Sequence, residues 1–244
     1  MSDPIKILVN ALLRGSLTDH TAKALLFDLD GTLIDSAPDI CNSLNAAFGT
    51  MDLPGVSLNE VRNWIGSGVK GLLDEALKKT LGGEPDAALV TRAIQLFELY
   101  YAEQSWMKSA CYDGVLSGLS ELKGMGFRMA CVTNKPRFLS LQVLKKSGLK
   151  GFFEVLVAGN DLDKQKPSGL PLLYAVNQLG LSSTDCVVIG DSQNDIDAAK
   201  DSGIVILLVT WGYHQGLDMT QLHATQFINH FSEIQKKLIG GIVG

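Results

Sequence analysis

Two aspartates spaced two apart, Asp28 and Asp30, lie in the run Asp28-Leu29-Asp30-Gly31-Thr32, directly behind the apolar tetrad Ala24-Leu25-Leu26-Phe27. Side chains alternate along a strand, so 28 and 30 share a side about 7 Å apart while Leu29 faces the other way. Gly31 permits a sharp backbone departure, and the Thr32 hydroxyl can support the turn. Two carboxylates this close repel, and keeping both ionised takes a compensating cation. A third acid, Asp191, opens Asp191-Ser192-Gln193-Asn194-Asp195 behind another apolar run, 186–189. Carboxylate, carbonyl and water oxygens suit Mg2+, which keeps several waters and rarely takes a full protein cage.

A hydroxyl and an ammonium follow two further apolar runs: Thr133, in Thr133-Asn134-Lys135, and Lys166, in Lys166-Pro167. With a cation and free backbone N–H groups they make a pocket for a small dianion such as phosphate. A carboxylate held beside that pocket can attack phosphorus. The second can protonate a departing alcohol and then deprotonate a water. One residue would serve as acid and then base, so no histidine is needed; His20, His214, His223 and His230 lie apart from these clusters. The plainer readings are an Asp-Gly turn, an aspartate capping a helix, and a solvated loop lysine. The joint occurrence of four clusters, each behind an apolar run, weighs against them.

Those runs predict the scaffold. Residues 24–27, 129–133, 155–158, 186–189 and 205–209 are continuously apolar, the pattern of strands covered on both faces. Helical spacing over 116–123, 139–146, 170–179 and 196–201 ends at Gly124, Gly148, Gly180 and Ser202-Gly203, where glycine is the expected stop. Alternating strands and helices predict right-handed crossovers and a parallel sheet, whose ligand site lies at the strands' carboxyl ends. Between the first two strands, 39–48, 58–64, 69–79 and 85–101 read as helices. The expected class is α/β, a Rossmann-like parallel-sheet core with an inserted all-helical cap. The expected division is an N-terminal extension of unassigned role (1–22), the core (23–38 and 107–244) and the cap (39–106).

The 244 residues carry a net charge of −5, with 46% hydrophobic and 19% charged residues, which excludes a disordered chain and argues against a nucleic-acid-binding surface. Cys41, Cys111, Cys131 and Cys186 form no Cys-x-x-Cys pair and have no histidine at ligand spacing, so neither a disulfide framework nor a zinc site is expected. No apolar run approaches the ~18 residues of a membrane span, and residues 5–13 lack a signal-peptide pattern. A cytoplasmic protein, monomer or homodimer, without nucleic-acid or membrane partners, is expected.

The four clusters resemble, in order, the motifs of the haloacid dehalogenase-like superfamily of aspartyl-nucleophile phosphatases, over about residues 23 to 238. The resemblance implies Asp28 as nucleophile and Asp30 as acid/base. It implies Mg2+ on the Asp28 side chain, the Asp30 carbonyl and Asp191. Thr133 and Lys166 would bind the phosphoryl group, and Asp195 would orient Lys166 or a metal-bound water. Gly31, Thr32, Asn134, Ser192 and Asn194 would support them. Residues 28–36, Trp64-Ile65-Gly66-Ser67-Gly68, Thr133-Asn134-Lys135-Pro136 and Trp211-Gly212-Tyr213 are similar to the phosphoglycolate phosphatases. That likeness implies a small phosphorylated metabolite as partner, 2-phosphoglycolate, hydrolysed to glycolate and phosphate. Gly66 and Gly68 would allow close approach of the cap loop to substrate, and Arg62 or Lys70 would meet its carboxylate. Both could equally be exposed helix charges, and Trp211 and Tyr213 are expected to pack at the rim. Ser168-Gly169-Leu170-Pro171 departs from the subfamily's pattern. The alternatives are a sugar-phosphate phosphatase, mutase or pyrophosphatase on the same residues, or a non-catalytic phosphoacceptor or binding module. A dehalogenase is disfavoured because Asp30 would have no alcohol to protonate.

Overall fold

The computed structural model describes residues 22–218, 220, 222 and 226–239. The N-terminal extension, apart from residue 22, lies outside them, as do His20 and His223. The chain opens with β1 (Ala24–Phe27) and β2 (Ile34–Asp35). Helices α1 (Ala37–Thr50), α2 (Leu58–Trp64), α3 (Gly68–Leu81) and α4 (Ala87–Gln104) follow. Then come β3 (Ala110–Cys111), α5 (Val115–Gly124), β4 (Arg128–Val132), α6 (Arg137–Lys146) and β5 (Val155–Val157). The chain continues with α7 (Leu170–Gln178), β6 (Cys186–Gly190), α8 (Gln193–Ser202), β7 (Val205–Val209), β8 (Phe227–Ile228) and α9 (Glu233–Ile239).

Six strands form one parallel sheet in the order β5-β4-β1-β6-β7-β8. The first strand in sequence is thus central, and the alternation of β1 explains its unbroken apolar run. Leu25 and Phe27 enter one core layer, with Val115, Leu119, Phe231 and Ile234. Ala24 and Leu26 enter the other, with Leu172, Ala175, Ala198 and Ala199. A strand buried on both faces has no position for a polar side chain until it ends.

Three short strands escape the apolar pattern. β2 and β3 pair antiparallel, Ile34 with Cys111 and Asp35 with Ala110, side by side where the chain enters and leaves the helical insertion. Two-residue strands, β8 included, carry no periodicity to read. Most helix limits also move by one to three residues, and two of the shifts have a visible cause. Gly124 is the last residue of α5 rather than its stop, and the left-handed turn falls on Gly126 (φ 88°). Residue 85 precedes α4, because the Asp86 side chain accepts the Leu89 N–H at 2.8 Å and so caps the helix. The departure at Ser168-Gly169 has a packing cause: a Cβ on Gly169 would lie 2.7 Å from the Ser202 nitrogen, at the end of α8.

The root of the insertion is fastened by one buried carboxylate. Asp39, in the first turn of α1, accepts the N–H groups of Met107, Lys108 and Ser109 at 3.0, 2.9 and 2.9 Å and the Ser109 hydroxyl at 2.6 Å. Asp39→Ala would leave these donors without an acceptor and should lower unfolding stability by about 3 kcal/mol in urea titrations, with Asp39→Asn recovering part of the loss. A change under about 0.5 kcal/mol would contradict this fastening.

Candidate active site

The carboxyl edge of β1 and β6 gathers the predicted acids. Phe27 pairs with Ile189, and the Asp28 N–H donates to the Ile189 carbonyl at 2.9 Å, so Asp28 leaves β1 still anchored to its neighbour. The chain then turns back, with the N–H groups of Leu33 and Ile34 both reaching the Leu29 carbonyl at 3.0 and 3.1 Å. Gly31 is required twice over. Its φ is 91°, and a Cβ there would lie 2.3 Å from Asp191 Oδ2.

Asp28, Asp191 and Asp195 each offer a carboxylate oxygen within 4.8 Å of the others, and all three are buried. Lys166 Nζ donates to Asp28 Oδ1 at 2.7 Å and Asp195 Oδ1 at 2.6 Å. The other oxygen of Asp195 is consumed at the start of α8, accepting the Asp191 and Ser192 N–H groups and the Ser192 hydroxyl at 3.2, 3.1 and 2.7 Å. Asp191 accepts the Thr32 hydroxyl at 2.8 Å on Oδ1 and the Tyr213 N–H at 2.9 Å on Oδ2. Three acids around one lysine leave an excess of two negative charges in a buried site. Burial pushes Asp28 up to about 7, against the opposing pull of Lys166. Burial, and then the charges of Asp28 and Asp195, raise Asp191 well above the usual carboxylate range. Burial alone would lower Lys166, but Asp195 and Asp28 outweigh it and hold the ammonium charged. Oxygen-only donors with two uncompensated charges fit a divalent cation.

Asp30 is handled differently. Its carboxylate accepts Lys135 Nζ at 3.1 and 3.0 Å and the Ser36 hydroxyl at 2.6 Å. A lysine thus supplies a compensating cation for the Asp30 side chain. Lys135 was visible only as part of a motif, and the sequence signal for it was the unmet charge of Asp30. The Lys135 ammonium also lies 4.4 Å from the centre of the Tyr101 ring, contributed by α4.

Thr133 sits at the end of β4, its N–H on the Val157 carbonyl at 2.9 Å. With Asp28, Asp30, Lys135, Lys166 and Ser192 it lines a cavity of about 40 Å3. Asn134 exchanges two hydrogen bonds with the Lys166 backbone, at 2.8 and 2.9 Å. Its amide nitrogen also reaches the Gly66 carbonyl at 2.8 Å, where Asn194 joins it at 3.1 Å. The insertion supplies Ile40, Ile65, Gly66, Gly68, Val69, Leu72 and Phe97 to the wall.

Four residues proposed to meet substrate do not line this cavity. Arg62 pairs with Asp35 at 3.2 Å, and Lys70 pairs with Asp74 at 2.6 Å along the exposed side of α3. Trp64 packs against the apolar core. Ser67 presents its carbonyl to Gln165 at 3.3 Å. Trp211 and Tyr213 brace the first motif: Trp211 Nε1 donates to the Thr32 carbonyl at 3.1 Å, and the Tyr213 hydroxyl donates to Asp35 at 2.8 Å. The His214 ring meets the Val209 carbonyl at 3.0 Å, and His214 does not line the cavity.

A parallel sheet with acids at its carboxyl edge and a helical insertion behind the first strand defines a class. The family model of haloacid dehalogenase-like hydrolases matches residues 25–209, and the chain belongs to that family. It is 36% identical over 214 residues to the phosphoglycolate phosphatase of Nitrosospira multiformis, covering 88% of this chain and 94% of that one. It is 37% identical to that of Colwellia psychrerythraea, covering 87% and 95%. The crystal structure of a predicted phosphoglycolate phosphatase from Haemophilus somnus superposes with a TM-score of 0.84 at 32% identity, covering 89% and 98%.

The raised Asp28 fixes a pH sign for the ion-free protein. The folded state retains a proton up to about 7 that the unfolded chain releases near the ordinary carboxylate value of 3.8, so this contribution to stability is lost as pH rises through about 7. A bound cation should restore it. Added Mg2+ should therefore raise Tm by about 5 °C or more near pH 8 and much less near pH 5. Asp191→Asn should remove most of the effect; an equal rise at both pH values would place the ion elsewhere.

Proposed function

We propose that the chain is a Mg2+-dependent phosphomonoester hydrolase acting through a phosphorylated Asp28, with 2-phosphoglycolate as its substrate. The observation that carries this reading is the placement of Asp28 and Asp30 in one cavity with Thr133 and Lys166, beside an acid cluster two charges short of neutrality. Asp28 and Asp191, with the Asp30 carbonyl, would hold the Mg2+. When bound, the ion neutralises the converging carboxylates and the phosphoryl oxygens. Asp195, with both oxygens engaged, serves to aim Lys166.

In the first half, the Asp28 carboxylate attacks phosphorus, the bond to the ester oxygen breaks, and Asp30 gives that oxygen its proton. Thr133 and Lys166 hold the phosphoryl oxygens. In the second half, the Asp30 carboxylate takes a proton from water, whose oxygen attacks phosphorus. Cleavage of the bond to Asp28 then releases phosphate and regenerates the carboxylate. The Asp30 carboxylate accepts three hydrogen bonds, two from Lys135 and one from Ser36, which hold it in place at the cavity. The names of the relatives support phosphoglycolate in particular.

Asp28→Asn should retain less than about one-hundredth of wild-type kcat, and chelation should silence the enzyme reversibly. In a panel of phosphate esters ranked by kcat/KM, 2-phosphoglycolate should lead. A sugar phosphate ahead of it would overturn the substrate, and a long-lived phosphoenzyme without turnover would overturn the hydrolase.

A further inference from the structure

We propose that Lys135 is the residue that recognises the carboxylate of the substrate, and so sets the preference for an anionic leaving group. The inference rests on the phosphatase reading above and assigns the opposite end of the same cavity. Among the described residues, two cations line that cavity, Lys166 and Lys135. Lys166 is committed to Asp28 and Asp195, where phosphorus must sit. Lys135 lies at Asp30, the group assigned to the ester oxygen and hence to the leaving group. Every residue the insertion adds to the wall is uncharged, and Arg62 and Lys70 are paired elsewhere. A carboxylate one carbon from the ester oxygen would therefore meet apolar walls and the repelling charge of Asp30, unless the cation held against Asp30 also receives it.

The local geometry suits that double duty. An ammonium has three N–H donors, and Asp30 takes at most two. The Lys135 side chain is 5% exposed, so a charge beside it is poorly screened by water. The Tyr101 face at 4.4 Å fixes the ammonium from the side of the insertion without supplying a competing anion. Lysine at 135 is thus a point charge between two anions, one belonging to the protein and one to the substrate.

The test compares 2-phosphoglycolate with ethyl phosphate, which keeps the ester and lacks the carboxylate. The wild-type enzyme should prefer 2-phosphoglycolate by about a hundredfold in kcat/KM, in line with the cost of removing one partner of a buried charge pair. In Lys135→Met that ratio should collapse to within a fewfold of one, chiefly through KM for 2-phosphoglycolate, and Lys135→Arg should recover part of it. Arg62→Met and Lys70→Met should leave the ratio unchanged. A lysine that merely steadies Asp30 would slow both esters by one factor and keep the ratio, which would overturn the proposal. A wild-type ratio near one would overturn it without any variant, as would a collapse caused by Arg62→Met or Lys70→Met. Failure of the wild-type enzyme on both esters would instead defeat the phosphatase reading, and this inference with it.

Discussion

Burying three carboxylates around one ammonium is the constraint from which the rest of the site follows. In a low-dielectric interior such a cluster is strongly unfavourable unless each charge is hydrogen-bonded or compensated. The surrounding residues meet that demand one oxygen at a time. Ser192 and two backbone N–H groups take one oxygen of Asp195, and Lys166 takes the other. Thr32 and Tyr213 each take one oxygen of Asp191. Side chains and backbone thereby hold the acids in place while leaving an excess of negative charge unanswered. That excess is the electrostatic signature of a cation site.

The same arrangement ties the helical insertion to the core. The Gly66 carbonyl receives two amides, one from Asn134 and one from Asn194, so the loop after β4 and the first turn of α8 both grip the insertion at one atom. Asn134 also holds the backbone of Lys166, so a single side chain links Thr133's loop, the lysine beside Asp28 and the wall over the cavity. At the root, Asp35 joins Arg62 of α2 to Tyr213, whose N–H steadies Asp191. Displacing the insertion would break hydrogen bonds made by the very residues that orient the acids. Its position and the order of the site are therefore coupled through shared atoms.

Much of this was legible in the chain because it rests on local rules. The limits of β1 and β7 follow from apolar runs, and the acids are found by asking what comes next after a buried strand ends. What stayed hidden depends on three-dimensional pairing. β2 and β3 are too short to show a period and exist because the insertion must leave and return at one place. Whether a charge on α2 or α3 faces the cavity depends on how each helix is rotated about its axis. Arg62 and Lys70, plausible by type and spacing, turn instead to Asp35 and Asp74. Lys135 shows the converse: nothing in its local sequence marks it as buried, and only the packing of Tyr101 and Asp30 around it shows a buried charge.

The two lysines divide the cavity into ends of different character. Lys166 is flanked by two acids, so it cannot cancel their combined charge and leaves a demand for a further cation. Lys135 faces one acid and an aromatic ring, so its pair is locally neutral and places no such demand on a cation. The apolar side chains of Ile40, Ile65, Leu72, Phe97 and Leu139 line the same cavity, and charges beside such a wall are less screened than in water. Reversing the two environments would exchange the acid-rich end and the locally neutral end of the cavity. The sheet order prevents this: β6, which leads into Asp191, and β4, which leads into Thr133 and Lys135, lie on opposite sides of β1. The polarity of the site is thus set by strand order before any side chain of the insertion takes part.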